Sequence, residues 1–143
     1  MGVGAIIIEG GRVLLARRAS EPLRGEWSIP GGMLELGETL RAGTEREALE
    51  ETGLQVRAGE VVDVFDSIIA GEQSGAPQFH YVLIDFLCEI AGGELRAGSD
   101  ASEVQWYRPE ELQSLGLRAT TQRALDKALR MAGTDDRVSD WLL

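Results

Sequence analysis

Gly32-Met33-Leu34-Glu35-Leu36-Gly37-Glu38-Thr39-Leu40-Arg41-Ala42-Gly43-Thr44-Glu45-Arg46-Glu47-Ala48-Leu49-Glu50-Glu51-Thr52-Gly53-Leu54 divides into a glycine-rich loop and a helix loaded with carboxylates. Good helix formers dominate from Thr39 to Thr52, with Thr39 available as N-cap and Gly53 as a C-terminal stop. At about 100° per residue, Glu47, Glu50 and Glu51 fall within one arc roughly 100° wide. Ala48 and Leu49 lie off that arc and are expected to pack the helix against a core. Arg46, four residues before Glu50, can pin a carboxylate with its guanidinium.

Three acids on one helical face repel one another unless a hard cation sits among them. Mg²⁺ takes oxygen ligands and shares its shell with substrate phosphates. The preceding Pro30-Gly31-Gly32 lets backbone approach where side chains would block it. Loop and helix together suit a holder for a metal-bound polyphosphate.

Gly32, Glu38, Arg46, Glu47, Ala48, Glu50, Glu51, Gly53 and Leu54 occupy the positions of the pattern G-x5-E-x7-R-E-U-x-E-E-x-G-U, U being a bulky aliphatic. This resembles the box of the Nudix (MutT-like) hydrolases. Ala48, smaller than the usual aliphatic, is a departure that touches packing and not chemistry. A solvated acidic helix is the plainer alternative.

The chain has 143 residues, enough for one domain with its own core. Its net charge of −10 argues against binding a nucleic-acid polymer, which needs a basic footprint. An anionic substrate must then be drawn locally, by metal and a few arginines. Cys88, the single cysteine, lies in the apolar run Tyr81 to Ile90 and is expected to be buried without a disulfide partner. No stretch has the length of a membrane span or the pattern of a signal peptide, so a cytoplasmic protein without membrane partners is the default expectation.

Val3 to Glu9 and Arg12 to Arg18 read as a hairpin about a Gly10-Gly11 turn. Val13, Leu15 and Arg17 share one face of the second strand, and Leu14, Ala16 and Arg18 the other. Either arginine can be a phosphate contact or a solvated strand end. Ala19 to Ile29 reads as a loop, in which Trp27 either paves a pocket or covers the sheet. Leu54 to Ser67 suggests strands broken near Gly59. Ala70 to Pro77 reads as a connection, and Gln78 to Glu89 as a long strand. His80, on that strand, is expected to be packed or hydrogen-bonded rather than catalytic. Ser102 to Tyr107 reads as a strand and Arg108 to Leu112 as the opening of a short helix. Thr120 to Ala132 is an amphipathic helix with Ala124, Leu125, Ala128 and Leu129 as its apolar stripe, stopped by Gly133. Trp141-Leu142-Leu143 either docks on its own domain or meets a second subunit, leaving monomer or homodimer open. The order of elements is α+β.

The resemblance implies a single Nudix hydrolase domain over 1–143, an α/β/α sandwich with a mixed β-sheet. It implies Mg²⁺, or Mn²⁺, held by Glu47, Glu50, Glu51 and a carbonyl of Gly31 or Gly32. Arg46 would orient a carboxylate, and Glu38 would brace loop against helix. Glu47 or Glu103 would serve as the base. Arg17 (favoured), Arg18, Trp27 and Gly31 would contact substrate. The implied activity is pyrophosphohydrolysis of a nucleoside diphosphate linked to another moiety, ADP-ribose-like, nucleotide-sugar-like or a nucleoside triphosphate. A Nudix domain that senses nucleotide without cleaving it is the alternative, although such domains tend to lose box glutamates. Sub-family markers are scarce. The proline typical of ADP-ribose pyrophosphatases downstream of the box is replaced by Ala70, no NADH-pyrophosphatase stretch follows the box, and the coenzyme A pattern is met only through Leu14, Leu15 and Arg18.

Overall fold

The computed structural model describes the backbone of residues 1–21, 23–70, 77–98 and 100–142, and all of their side chains except those of 77, 78 and 134–142. Strands β1 (Gly2–Glu9), β2 (Arg12–Arg18), β3 (Trp27–Ser28) and β4 (Gly31–Met33) precede helix α1 (Leu40–Thr52). The long strands β5 (Leu54–Ala70) and β6 (Pro77–Gly93) follow, then β7 (Ala101–Tyr107), a 3-10 turn at Pro109–Leu115, and α2 (Ala119–Leu142). The central order is β3-β2-β1-β6-β5, with β4 added to β1 and β7 to β2. β1 runs parallel to β6 and antiparallel to β2 and β4, so the sheet is mixed as expected.

The Gly10-Gly11 hairpin turn is present, with φ of +59° and +76°. Both residues occupy the left-handed region that a two-residue turn requires, where glycine costs least. β1 reads as an unbroken apolar run because both of its faces are covered. Val3, Ala5 and Ile7 face α1 together with Leu14, Ile84 and Phe86. Ile6, Val13, Leu15 and Val62 face α2, where they meet Ala124, Leu125 and Ala128. These two cores make the α/β/α sandwich, and Cys88 is buried in the first.

The helix caps fall as expected. Thr39 accepts from the Ala42 N–H, and Gly53 ends α1 at φ +77°. Leu49, however, does not pack inward and is 47% exposed. The face that meets the sheet carries Thr44, Ala48 and Thr52, all fully buried. They lie four residues apart, and the two threonines turn their hydroxyls back onto the Leu40 and Ala48 carbonyls. Small residues on that stripe bring the helix close to the strands, and Leu49 sits to one side of it.

The break expected near Gly59 is instead a register shift within one continuous strand, β5. The backbone groups freed there are taken up by α1: the Ala58 N–H donates to Glu45, and the Gly59 carbonyl accepts from Arg41 Nε. Within the stretch expected to be a loop, Trp27–Ser28 pairs with β2. Gly133 does not stop α2, which continues to Leu142. The connection at 71–76 and the packing of Trp141-Leu142-Leu143 lie outside the described residues.

Candidate active site

β4 brings the glycine loop against the start of β1, pairing Gly32 with Val3 and Gly31 with Gly4. A Cβ on Gly31 would run into the Val3 carbonyl, and one on Gly32 would meet the Glu47 carboxylate at 2.5 Å. These two glycines are therefore required by close approach, one to backbone and one to a box carboxylate. The Gly31 N–H donates to Glu51 Oε2 at 3.1 Å, tying loop to helix across 20 residues.

Arg46 is the hub. Its Nε and Nη2 form a fork on Glu38 at 2.6 and 2.9 Å, Nη1 donates to Glu47 at 3.0 Å and to both Glu50 oxygens at 3.2 Å, and Nη2 also reaches the Met33 carbonyl. Glu38 accepts in addition from the Glu35 N–H, so it braces the loop. These bonds, Arg46 first, hold the Glu38 carboxyl below its ordinary range. Burial does the opposite elsewhere. It raises Glu47 against the pull of Arg46, and it pushes Glu51 up to about 7, with the Glu47 and Asp100 charges adding to the shift and Arg18 opposing it.

These acids line a cleft of about 620 Å³ shared with Gly31, Gly32, Arg18 and Asp100. The rest of the lining comes from β5 and β6, through Phe65, Ser67, Ile69, Tyr81, Leu83 and Asp85, and from Arg118, Thr120 and Thr121 around the start of α2. The size suits a nucleotide-sized ligand.

The structure gathers Glu47, Glu50, Glu51, Arg46, Gly31, Gly32 and Arg18 around this cleft. It sets the other candidates, Arg17, Glu103 and Trp27, apart, and His80 with them. Arg17 points to Glu103, its cross-strand partner, with Nη1 3.1 Å from Oε1, and borders only a side crevice. Glu103 is half-exposed in that pair and is absent from the cleft wall. Trp27 packs edge-on against Tyr107 at 5.3 Å and covers the sheet. His80 bonds Asp66 at 3.0 Å on an exposed stretch of β6 and does not line the cleft. Three acids on the wall, Glu35, Asp85 and Asp100, are not among the residues the sequence singles out. Asp85 had a signal: it is the only acid within the apolar run Val82 to Cys88. Asp100 had none, because its approach to Glu51 depends on the pairing of β7 with β2.

Among the described residues no three acidic, histidine or cysteine side chains are converged as a ready metal cage. Arg46 holds Glu47 and Glu50, and the loop holds Glu51. The donor set nevertheless fits a hard cation. It is all oxygen, burial raises the pKa of two of its carboxyls, and the Glu50 side chain is 43% exposed beside them.

Carboxylates collected under a glycine loop, between the two helical layers of a mixed-sheet sandwich, define the class of hydrolase that the box resembles. The NUDIX domain family matches across residues 1–129, and the chain belongs to the Nudix hydrolase family. It is 36% identical over 137 residues to a MutT-like protein of Streptomyces ambofaciens, covering 96% of this chain and 80% of that one. It is 34% identical over 115 residues to an ADP-ribose pyrophosphatase of Methanocaldococcus jannaschii, covering 80% of this chain and 65% of the archaeal protein. The crystal structure of a MutT NUDIX hydrolase from Burkholderia pseudomallei superposes with a TM-score of 0.71 at 28% identity, covering 88% of this chain and 95% of that chain. No described helix is long and apolar enough to cross a membrane.

Proposed function

We propose that this Nudix hydrolase is a Mg²⁺-dependent pyrophosphohydrolase that splits a nucleoside diphosphate linked to a second moiety, of the ADP-ribose or nucleotide-sugar type. The observation that carries the reading is the meeting of Glu47, Glu50 and Glu51 with Arg18 in one cleft of nucleotide size. Similarity to the archaeal ADP-ribose pyrophosphatase supports the ADP-ribose end of that range.

Glu47, Glu50 and Glu51 would hold the cation, with a carbonyl of Gly31 or Gly32 assisting. When bound there, a divalent ion would supply charge to neutralise phosphate oxygens and to make a bound water more acidic. Arg46 keeps the carboxylates in register, so their positions are set before substrate arrives. Arg18 supplies positive charge on the cleft wall for the diphosphate. A base that accepts the water's proton works best when it is not itself a tight ligand. Asp100 meets that condition from within the cleft, whereas Glu103 is engaged by Arg17 outside it. A sensing domain without turnover would have no use for a complete set of box glutamates on the cleft wall.

The test is a panel of ADP-ribose, nucleotide sugars, dinucleotides and nucleoside triphosphates with Mg²⁺, with products identified by phosphorus NMR. Cleavage of a diphosphate, abolished by chelator, is expected. A full rate in chelator, or no cleavage of any member, overturns the reading.

A further inference from the structure

Asp85 stands on β6 opposite Gly4 of β1 and Asp63 of β5. It is 3% exposed, yet it forms part of the cleft wall, and its Oδ2 has no hydrogen-bond partner among the described residues. A Cβ on Gly4 would collide with Asp85 Oδ1, so the absence of a side chain there makes room for the carboxyl. Leaving a buried oxygen unsatisfied is costly, and an alanine or valine would avoid the cost.

Among the described residues none satisfies Asp85 Oδ2 or offsets the charge of this carboxyl. The nearby cation, Arg123 of α2, is spent on Asp63, its Nε 3.2 Å from Oδ2. The Asp63 charge and, above all, burial push Asp85 up to about 7, so the neutral acid is well populated at neutral pH. A neutral carboxyl presents an O–H donor beside a C=O acceptor, the same pair that an asparagine amide offers to a base edge. Phe65, Ile69, Tyr81 and Leu83 line the same part of the cleft with apolar and aromatic surface. Flat apolar walls ending in one donor–acceptor pair suit a nucleobase better than a sugar, whose faces are studded with hydroxyls.

We propose that Asp85 is a specificity-determining residue that reads the hydrogen-bonding edge of the substrate's nucleobase, seated against β5 and β6. The proposal rests on the nucleoside-diphosphate reading above and names the group that recognises its nucleoside half.

The test is direct binding, which does not depend on turnover. AMP, GMP, CMP, UMP and ribose 5-phosphate are titrated by calorimetry into the wild type, Asp85→Asn and Asp85→Leu, with the fold of each checked by circular dichroism. The wild type is expected to bind at least one nucleotide about tenfold or more tighter than ribose 5-phosphate, as a paired base edge implies. Asp85→Leu should lose that advantage with ribose 5-phosphate affinity unchanged. Asp85→Asn, which keeps a donor–acceptor pair, should retain most of it. Equal affinities in the wild type, an advantage that survives in Asp85→Leu, or one lost in Asp85→Asn overturns the proposal. Base-dependent binding without hydrolysis of any diphosphate would sink the proposed activity alone, and hydrolysis without base preference would sink the role of Asp85 alone.

Discussion

Arg46 and Glu38 form a two-pronged ion pair, 2.6 and 2.9 Å, that locks the glycine loop to the helix carrying the acids. The same guanidinium reaches Glu47, Glu50 and the Met33 carbonyl, so one side chain fixes both halves of the site. A lysine supplies the charge but not the planar fork. Arg46→Lys is therefore expected to lower Tm by roughly 3–8 °C and to reduce kcat at least about tenfold, since small misplacements of catalytic groups are expensive. Thermal melts and steady-state kinetics check this; a variant with wild-type kcat contradicts the role.

Gly31 and Gly32 separate stability from activity. A methyl on Gly31 strikes the Val3 backbone, which cannot move without parting β4 from β1. On Gly32 it strikes the end of the Glu47 side chain, which can swing away at the expense of its place in the site. Gly31→Ala is expected to cost about 1–3 kcal/mol of stability. Gly32→Ala should melt close to wild type and lose most of its activity. Equal melting temperatures for the two variants would argue against this division.

The metal-free protein should become less stable as pH rises from about 4 to about 7, then level off. Asp85 and Glu51 each have a folded pKa raised to about 7 by burial, against ordinary values of 3.8 and 4.5. Between those limits the folded state binds more protons than the unfolded chain, so the slope of unfolding free energy with pH is negative. Asp85 alone contributes on the order of 2–4 kcal/mol to the decline. Asp85→Asn should flatten part of the profile and Glu51→Gln another part, and both should be more stable than wild type at pH 8 without metal. Glu51→Gln should also lose nearly all turnover. Urea titrations across pH decide the matter; a wild-type curve rising from pH 4 to 7 is the opposite of what is expected.

Cation binding should in turn release protons. A hard ion takes the ionised form of Glu51, which is only partly populated near neutrality. Calorimetric titration of Mg²⁺ at pH 6.5 in two buffers of different ionisation enthalpy should give different apparent heats, and at pH 8.5 the difference should largely vanish. Identical heats at pH 6.5 would mean that Glu51 is not a ligand or is already ionised.

What was legible in the sequence was what depends on local chemistry. The Thr39 and Gly53 caps, the Gly10-Gly11 turn and the three clustered glutamates follow from residue type and helical spacing, and the structure has the caps, the turn and the shared face. Leu49 was misjudged because the contact face of α1 is set by small residues, whose close approach no hydrophobicity pattern announces. The continuity of β5 was hidden because Arg41 and Glu45, on another element, satisfy the backbone at its irregularity. Arg17 was favoured over Arg18 in the sequence, yet Arg18 is the one on the cleft wall: adjacent strand residues face opposite ways, and only the pairing of β2 with β7 decides which meets the cleft.

That same pairing supplies the last prediction, about the base. Register sets Arg17 against Glu103 and leaves Asp100, just before β7, on the cleft wall near enough to raise the Glu51 pKa. An exposed ion pair such as Arg17–Glu103 contributes little to stability, and Glu103 does not line the cleft. Asp100→Asn is therefore expected to lower kcat by about 10²–10⁴-fold with little change in KM, as loss of a general base does. Glu103→Gln should stay within about threefold of wild type. The pH profile separates the two as well, because removing a base flattens the acid limb of kcat while removing a surface charge leaves it in place. If Glu103→Gln proves the more damaging substitution, the Arg17–Glu103 pair opens during turnover and Glu103 takes over the role assigned here to Asp100.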